Sequence, residues 1–192
     1  MSVPKILAFA GSLRKESYNK KLVKIAAAGA KNAGADVSVI DLRDFPLPIF
    51  DEDMETKDGQ PENAKRLKEL MMAHDGFLIS SPEYNSSITA VLKNTIDWVS
   101  RSKPPEAPLS AFRDKVVSLM SASPGALGGL RGLVHIRAIL GNIGVIVLPG
   151  QVAVARVSEA FNPDGTLKEA KQQKAVENLG VELVNVLNKL KS

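Results

Sequence analysis

The sequence predicts an α/β fold in which a doubly wound parallel sheet carries helices on both faces. Short apolar runs alternate five times with longer segments of helical periodicity, which is the order of elements in parallel βα folds. The apolar runs are continuous rather than alternating, as expected of strands that are covered on both faces. The 192 residues show no second composition regime, so we predict a single domain over residues 1–192.

The N-terminal elements follow from apolar spacing and stop signals. Residues 6–10 form the first apolar run, and residues 19–33 have apolar positions on one helical face before a glycine stop at Gly34. A second strand is predicted over residues 36–40. Residues 41–61 are polar and rich in proline, so we predict that they lack regular structure.

The remaining segments continue the alternation of helix and strand. Their predicted bounds are helix 62–73, strand 76–80, helix 88–99, strand 115–120, helix 130–140, strand 145–148 and helix 167–190. Five such units in a chain of this size predict the flavodoxin-like strand order 2-1-3-4-5. A ligand is then expected at the carboxyl ends of strands 1 and 3, where the direction of winding reverses.

Composition excludes several classes of protein. Cysteine is absent, which rules out disulfides, thiol nucleophiles and cysteine-ligated clusters and favours a cytoplasmic location. We find neither a signal pattern nor an apolar run long enough to span a bilayer, so no membrane partner is expected. The formal net charge of +4 is spread along the chain, without a basic block, and we predict no nucleic-acid partner.

The loop after the first strand has the composition of a phosphate site. It reads "GSLRKESYN" over residues 11–19 and leads into a helix, whose N-terminus offers unpaired N–H groups to an anion. Ser12, Ser17 and Asn19 can add donors, and Arg14 can add a charge. The alternative is that Ser17 merely caps the helix. Neither glycine-rich signature of nucleotide-binding loops is present.

Two further loops are expected at the same edge of the sheet. "SSPEYNSS", residues 80–87, follows strand 3. Its proline stiffens the backbone and is expected to leave the N–H and C=O groups of Glu83, Tyr84 and Asn85 facing a planar heterocycle. "SASPGALGGLRG", residues 121–132, follows strand 4, and its glycines permit close backbone approach. A merely flexible connection is the alternative for this third loop.

In combination, these motifs resemble the NADPH-dependent FMN reductase family, which includes chromate, quinone and azo-dye reductases. The matching pieces are "GSLRKESYN", "PEYNSS", "LKNTIDWVSR" and "SASPGALGG", in matching order from about residue 4 to residue 150. The resemblance implies bound FMN and NADPH or NADH as co-substrate, with a quinone, flavin, azo compound or chromate-like acceptor. It also implies a homodimer or homotetramer, for which residues 41–61 and the segment around Arg101 are candidate interfaces.

The resemblance also assigns residues to the cofactor. The FMN phosphate is held by Ser12, Arg14, Ser17 and Asn19, with a backbone contact from Tyr18; the isoalloxazine edge is lined by Pro82, Glu83, Tyr84 and Asn85; the ring or ribityl chain is approached by Ser121, Ala122 and Ser123. No side chain is assigned as a general acid or base, because the chemistry belongs to the flavin. The pair Thr89–Ala90 departs from the family pattern on the substrate side.

Alternatives from other classes remain at this point. A flavodoxin-type electron carrier would hold FMN without NAD(P)H turnover, and a flavin-free regulatory domain would share only the fold. A metal site is not expected, because the acidic run over residues 51–55 lacks EF-hand spacing and is predicted to be a solvated loop. His74 is expected to favour the end of a helix, His135 is not expected to be a ligand, and Trp98 is expected in the core or an interface.

Overall fold

The computed structural model describes residues 2–191 and contains one five-stranded parallel sheet in the order β2-β1-β3-β4-β5. The predicted fold class and strand order are therefore confirmed. The strands are β1 (Lys5–Ala10), β2 (Asp36–Val39), β3 (Gly76–Ser80), β4 (Val116–Ala122) and β5 (Ile146–Val154). The helices are α1 (Tyr18–Asn32), α2 (Glu52–Asp58), α3 (Glu62–Met72), α4 (Ala90–Val99), α5 (Leu130–Asn142), α6 (Val157–Ala160) and α7 (Ala170–Leu190).

The core consists of two apolar layers, one on each face of the sheet. Successive side chains of a strand point to opposite faces. Ile6 and Ala8 of β1 therefore join the layer under α1 and α7, while Leu7 and Phe9 join the layer under α3, α4 and α5. Both layers need apolar residues, which explains why the strands are continuous apolar runs.

Strand register brings the ends of the three central strands together. Ala10 of β1 pairs with Ser80 of β3, and Ser80 pairs in turn with Met120 of β4. The loops that follow these strands consequently start side by side at one edge of the sheet. This edge is the topological switch point, because the chain winds from β1 to β2 on one side and from β3 to β5 on the other.

The prediction for residues 41–61 was wrong in part. A 3-10 turn (Leu42–Asp44) and helix α2 lie within this segment. The Asp51 carboxylate accepts from the backbone N–H of Asp53 at 2.8 Å and so caps α2. The acidic residues therefore begin a helix, where negative charge is favourable, rather than forming a solvated loop.

Two C-terminal elements also differ from the prediction. Strand β5 extends to Val154, because its second half pairs with β4 after a register shift between Val117 and Leu119. The short helix α6 precedes α7, which begins only at Ala170. No helix within residues 2–191 is long and apolar enough to cross a membrane.

Candidate functional site

The loop after β1 ends in a helix whose N-terminus is open. Ser17 occupies the cap position of α1, but its side chain makes no capping hydrogen bond. The simple capping role for Ser17 is therefore wrong. A helix leaves its first N–H groups without intrahelical partners, and those of Tyr18 and Asn19 open this helix. Ser12 is buried and Arg14 is exposed beside them. The arrangement suits an anion.

The Asn19 side chain fastens this helix to two strands. Its Nδ2 donates to the carbonyl oxygen of Ala122 at 2.8 Å. Its Oδ1 accepts from the Ala122 N–H at 3.0 Å and from the Ser80 hydroxyl at 2.8 Å. Most of the hydrogen-bonding capacity of this amide is thus used within the protein, with one N–H left for a ligand. Its first effect is to fix the helix N-terminus over the ends of β3 and β4.

The loop after β3 is a tight turn rather than an open backbone. The N–H of Tyr84 donates to the Ser87 carbonyl at 2.9 Å, and the N–H of Ser87 donates to the Tyr84 carbonyl at 3.1 Å. Asn85 and Ser86 between them have φ values of 49° and 68°, as in a type I′ turn. The expectation that the Tyr84 backbone groups face a ligand is wrong, because the turn uses both. The Tyr84 ring is half-exposed beside the turn.

Glu83 links the second loop to the third. Its buried carboxylate accepts from the Arg131 N–H at 3.0 Å and the Gly132 N–H at 3.3 Å, at the N-terminus of α5. The Arg131 guanidinium lies 2.6 Å from the same carboxylate. Burial raises the pKa of this carboxyl, but the hydrogen bonds from Arg131 and Gly132 outweigh burial, and its pKa is held below the ordinary value. Glu83 is therefore an ionised anchor.

Ser121 is placed behind the third loop. It is fully buried, and its hydroxyl has no hydrogen-bond partner among the described residues. A Cβ at Gly129 would lie 1.8 Å from this oxygen, and Gly129 also has a φ of +94°. Only glycine fits at that position. Ser123, by contrast, uses its hydroxyl to accept from the Gly125 N–H at 3.2 Å.

The three loops enclose a small space that we call the loop cavity. Its volume is about 60 Å³, enough for a phosphate group or the edge of a ring. The lining consists of Ser12, Arg14, Ser17, Tyr18, Asn19, Pro82, Glu83, Tyr84, Ala122, Ser123 and Pro124. The structure therefore brings together ten of the twelve predicted cofactor residues. Asn85 in the turn and Ser121 behind the loop do not line it.

A second space, the mouth cavity, adjoins the loop cavity. It measures about 240 Å³ and is mostly apolar; its lining is Gly11, Ser12, Leu13, Arg14, Tyr84, Thr89, Ala90 and Val91. Thr89 caps α4 by accepting from the Leu92 N–H at 3.3 Å. It also donates to the Gly11 carbonyl at 2.7 Å. The pair Thr89–Ala90 thus joins α4 to the first loop and borders this cavity.

Comparison with protein families identifies the chain. The model of the NADPH-dependent FMN reductase family matches residues 4–159, which include all three loops. The chain belongs to this family. A member of the NADPH-dependent FMN reductases uses FMN and NAD(P)H, and the present chain is accordingly an oxidoreductase of that class.

Individual relatives agree with the family assignment. The chain is 34% identical over 174 residues to an NAD(P)H-dependent FMN reductase of Pseudomonas aeruginosa, a match that covers 90% of this chain and 89% of that one. It is 37% identical over 139 residues to a quinone reductase of Escherichia coli, covering 70% and 68%. The solved flavoenzyme NAD(P)H:(acceptor) oxidoreductase FerB from Paracoccus denitrificans superposes with a TM-score of 0.82 at 26% identity, covering 97% and 98%.

The residues present fit an FMN reductase. The open N-terminus of α1, with Ser12, Ser17 and Arg14 around it, supplies the donors that a phosphate requires. The turn over residues 84–87 is closed by two backbone hydrogen bonds and borders the same cavity through Tyr84. Glu83 was assigned through its backbone, and sequence reasoning missed its link to Arg131. The motif "PEYN" gave no signal for this link, because the partner lies 48 residues away.

Trp98 and the two histidines, the other residues considered in the sequence, bond to groups of the fold. Trp98 is fully buried and its indole N–H donates to the Pro48 carbonyl at 2.8 Å, which confirms a core role. His74 Nδ1 lies 2.6 Å from the Leu70 carbonyl oxygen at the end of α3, and His135 Nδ1 lies 2.9 Å from the Ser87 hydroxyl. Within residues 2–191, no group of three or more acidic or histidine side chains is placed to hold a metal ion.

Proposed function

We propose that the loop cavity holds the phosphate end of FMN and that the mouth cavity receives the co-substrate and the acceptor in turn. The observation that carries this proposal is the uncapped N-terminus of α1 at the switch point, with Ser17 free of a capping bond. Ser12, Arg14 and Ser17 bind the phosphate together with the N–H groups of Tyr18 and Asn19. The side chains of Asn19 and Glu83 bond the three loops to one another, Asn19 through Ala122 and Glu83 through Arg131 and Gly132.

FMN held in the loop cavity would supply the hydride and electron transfer between NAD(P)H and an acceptor. The residues of this chain orient the reactants. Tyr84 lies between the two cavities, and its half-exposed ring can cover a planar group. Glu83 does not move a proton in this scheme, because its carboxylate is already bonded to Arg131 and Gly132.

Among the acceptor classes, the geometry favours a quinone. Leu13, Val91 and the Tyr84 ring give the mouth cavity an apolar wall, which suits a flat, uncharged molecule. Arg14 is the charged side chain in this lining. We therefore expect higher kcat/KM for a benzoquinone than for chromate, measured with the same co-substrate.

The deciding experiment is a visible absorption spectrum of the purified protein without oxygen. Yellow protein whose flavin bands bleach on addition of NADPH or NADH, with steady turnover when a quinone follows, is the expected result. Flavin bands that persist, or turnover that is absent, would indicate a flavodoxin-type carrier. Protein that takes up no added FMN would contradict the site assignment.

We further propose a cytoplasmic homodimer or homotetramer that has no nucleic-acid partner. Ile49 in the segment 41–61 exposes 84% of its surface, and a subunit contact through this segment would cover it. Arg101 lies against the same segment through its ion pair with Glu55 at 2.7 Å. The oligomeric state is tested below with an Ile49 variant.

A further inference from the structure

A further cavity lies outside the loop and mouth cavities and is larger than both. It occupies the groove between the carboxyl ends of β1 and β2, on the opposite side of β1 from β3, and measures about 660 Å³. Ligand cavities in proteins commonly have volumes of about 300–1,000 Å³. We call it the basic cavity, since six basic but three acidic side chains line it. The basic residues are Lys15, Lys20, Lys21, Lys24, Arg43 and Arg66.

Much of this positive charge is not neutralised by the protein. Within the part of the chain that the structure describes, Lys15 and Lys24 form no ion pair. Of the three acidic residues in the lining, Asp41 forms ion pairs, with its carboxylate 2.8 Å from Lys20 and 2.8 Å from Arg43; Glu16 and Asp44 act on Arg43 without an ion pair in the described part of the chain. These contacts fix two cations and cancel the charge of Asp41. An anion that enters the groove therefore meets a net positive field.

The floor of the basic cavity suits a flat ring. Val39, Ile40 and Phe45 line it with apolar surface. The Arg66 guanidinium lies 5.2 Å from the centre of the Phe45 ring, so an aromatic surface and a planar cation are adjacent. A purine base attached to a phosphorylated sugar has this combination of a flat apolar part and concentrated negative charge.

A row of adjoining cavities leads from this groove to the mouth cavity. An apolar cavity of about 250 Å³ shares Arg43 and Phe45 with the basic cavity. The same apolar cavity shares Leu13 and Val91 with the mouth cavity. A dinucleotide that followed this row would have one end at the mouth cavity and the other in the basic cavity. Arg43 lies between the two ends, where the pyrophosphate would pass.

We propose that the basic cavity binds the phosphorylated adenosine half of NADPH, with adenine on the apolar floor and the 2′-phosphate among the lysines and Arg66. This inference rests on the proposed function and names its co-substrate as NADPH rather than NADH. NADH lacks the 2′-phosphate and therefore cannot make these contacts with the basic side chains. The basic cavity is thus the part of the protein that selects between the two dinucleotides.

The first test measures binding to the FMN-loaded protein by isothermal titration calorimetry, so that the loop cavity is already filled. The probes are 2′,5′-ADP, 5′-AMP and inorganic phosphate. We expect 2′,5′-ADP to bind about tenfold more tightly than 5′-AMP, since charge-assisted contacts to a phosphate are among the strong ones. Equal binding of the two nucleotides, or binding of inorganic phosphate as tight as that of 2′,5′-ADP, would overturn the proposal.

The second test uses two double variants that remove the same charge from the same helices. K24Q/R66Q alters the basic cavity, whereas K31Q/K65Q alters α1 and α3 at positions that do not line it. We expect the first variant to lower the NADPH-to-NADH ratio of kcat/KM about tenfold, mainly through the KM for NADPH. The second variant should leave the ratio unchanged. If the ratio fell equally in both variants, the effect would come from the overall charge of the protein, and the proposed NADPH site would be refuted.

Failure of the inference is distinguishable from failure of the proposed function. Flavin that is reduced equally well by NADPH and NADH, with no change in K24Q/R66Q, refutes the basic cavity but keeps the reductase. Flavin that neither dinucleotide reduces refutes the reductase. In that case, binding of 2′,5′-ADP that depends on Lys24 and Arg66 would still support a nucleotide site in this groove.

Discussion

Glu83 is the side chain that makes two separate loops behave as one. Its carboxylate receives two backbone N–H groups and the Arg131 guanidinium, and it is almost fully buried. Breaking a buried, charged hydrogen-bond network is costly because the remaining partners are left unsatisfied. The third loop would then lose its fixed position against the turn over residues 84–87.

We therefore expect Glu83→Gln to weaken FMN binding about tenfold, since the amide lacks the charge and presents an N–H group to other donors. The measurement is the Kd for FMN from quenching of flavin fluorescence. Glu106→Gln is the matched control, because Glu106 is also ion-paired, to Lys68, but lies away from the loops. Equal losses in the two variants would show that the effect is general destabilisation.

In the proposed site, Arg14 binds the phosphate of FMN and makes no contact that the fold needs. Its side chain is exposed and forms no ion pair in the described part of the chain. We expect Arg14→Ala to raise the Kd for FMN about tenfold, as one charge-assisted contact is lost, and to leave Tm unchanged. Arg113→Ala, at another exposed arginine, should retain flavin through dialysis as the parent does. An Arg14 variant that retains FMN equally well would refute the phosphate role.

At the residue level, the sequence predicted where the candidate site residues lie but not which groups their side chains bond to. Ten of the twelve residues predicted to bind the cofactor line one cavity, since loops that follow neighbouring parallel strands start at the same edge of the sheet. Asn19 and Glu83 show what sequence motifs could not predict. Both side chains bond to groups far along the chain, Ala122 and Arg131, and no local pattern encodes such a pairing.

Helices α1 and α7 owe their close packing to two glycines. A Cβ at Gly29 would lie 2.1 Å from the Glu177 carbonyl oxygen, and a Cβ at Gly180 would lie 2.1 Å from that of Ala26. Both distances are far below van der Waals contact. The backbones of the two helices can approach only because these side chains are missing.

We expect Gly180→Ala to destabilise the protein by about 3 kcal/mol, because the methyl group forces the helices apart in a packed layer. Gly141→Ala is the control, since nothing lies within 4 Å of a Cβ there, and it should be about 0.5 kcal/mol more stable through helix propensity. Urea denaturation measures both changes. Equal stability of the two variants would contradict the close approach of α1 and α7.

Element prediction succeeded where apolar periodicity dominates. Strand β3 was predicted with its observed bounds, because Gly76 and the polar loop delimit a short apolar run. Helix α2 was missed, since its stability comes from the Asp51 cap and from the ion pair of Glu55 with Arg101 rather than from an apolar stripe. The second half of β5 was missed because it depends on a register shift against β4.

At the scale of the whole molecule, the proposed oligomer requires that Ile49, which is exposed in the single chain, lies in the interface between subunits. Ile49→Asp should shift the mass from light scattering toward the monomer, because a charge is placed in an apolar interface. Leu190→Asp is the control, as Leu190 exposes 59% of its surface at the far end of α7. Monomeric parent protein, or an unchanged mass in Ile49→Asp, would exclude the segment 41–61 as the interface.

Acid should destabilise the protein over a pH range that is set by carboxyl groups with lowered pKa values. The pKa of Asp41 is lowered from 3.8 to about 2, because hydrogen bonds from Arg43 and Lys20 outweigh burial, which raises it. The pKa values of Asp75 and Glu106 are lowered for similar reasons. A lowered pKa in the folded state gives stability that is complete above the unfolded value and is lost as the pH falls through the folded value.

We therefore expect the urea midpoint to be constant from pH 7 to pH 5 and to fall between pH 4 and pH 2. Asp41→Asn should cost about 1 kcal/mol at pH 7, since its ion pairs are partly exposed, and much less at pH 2, where the parent carboxyl is itself half protonated. A difference between the two proteins that is the same at both pH values would contradict the lowered pKa.

The bond between Asn19 and Ala122 has a consequence for how the protein is made. The two residues are 103 positions apart, and the helix that begins at Tyr18 is fixed over the sheet only when both are in place. During synthesis on the ribosome, the loop over residues 11–19 is made before β4, which is complete only once residue 122 has emerged. The flavin binding that we propose for this loop must therefore wait until the chain has been extended 103 residues beyond Asn19.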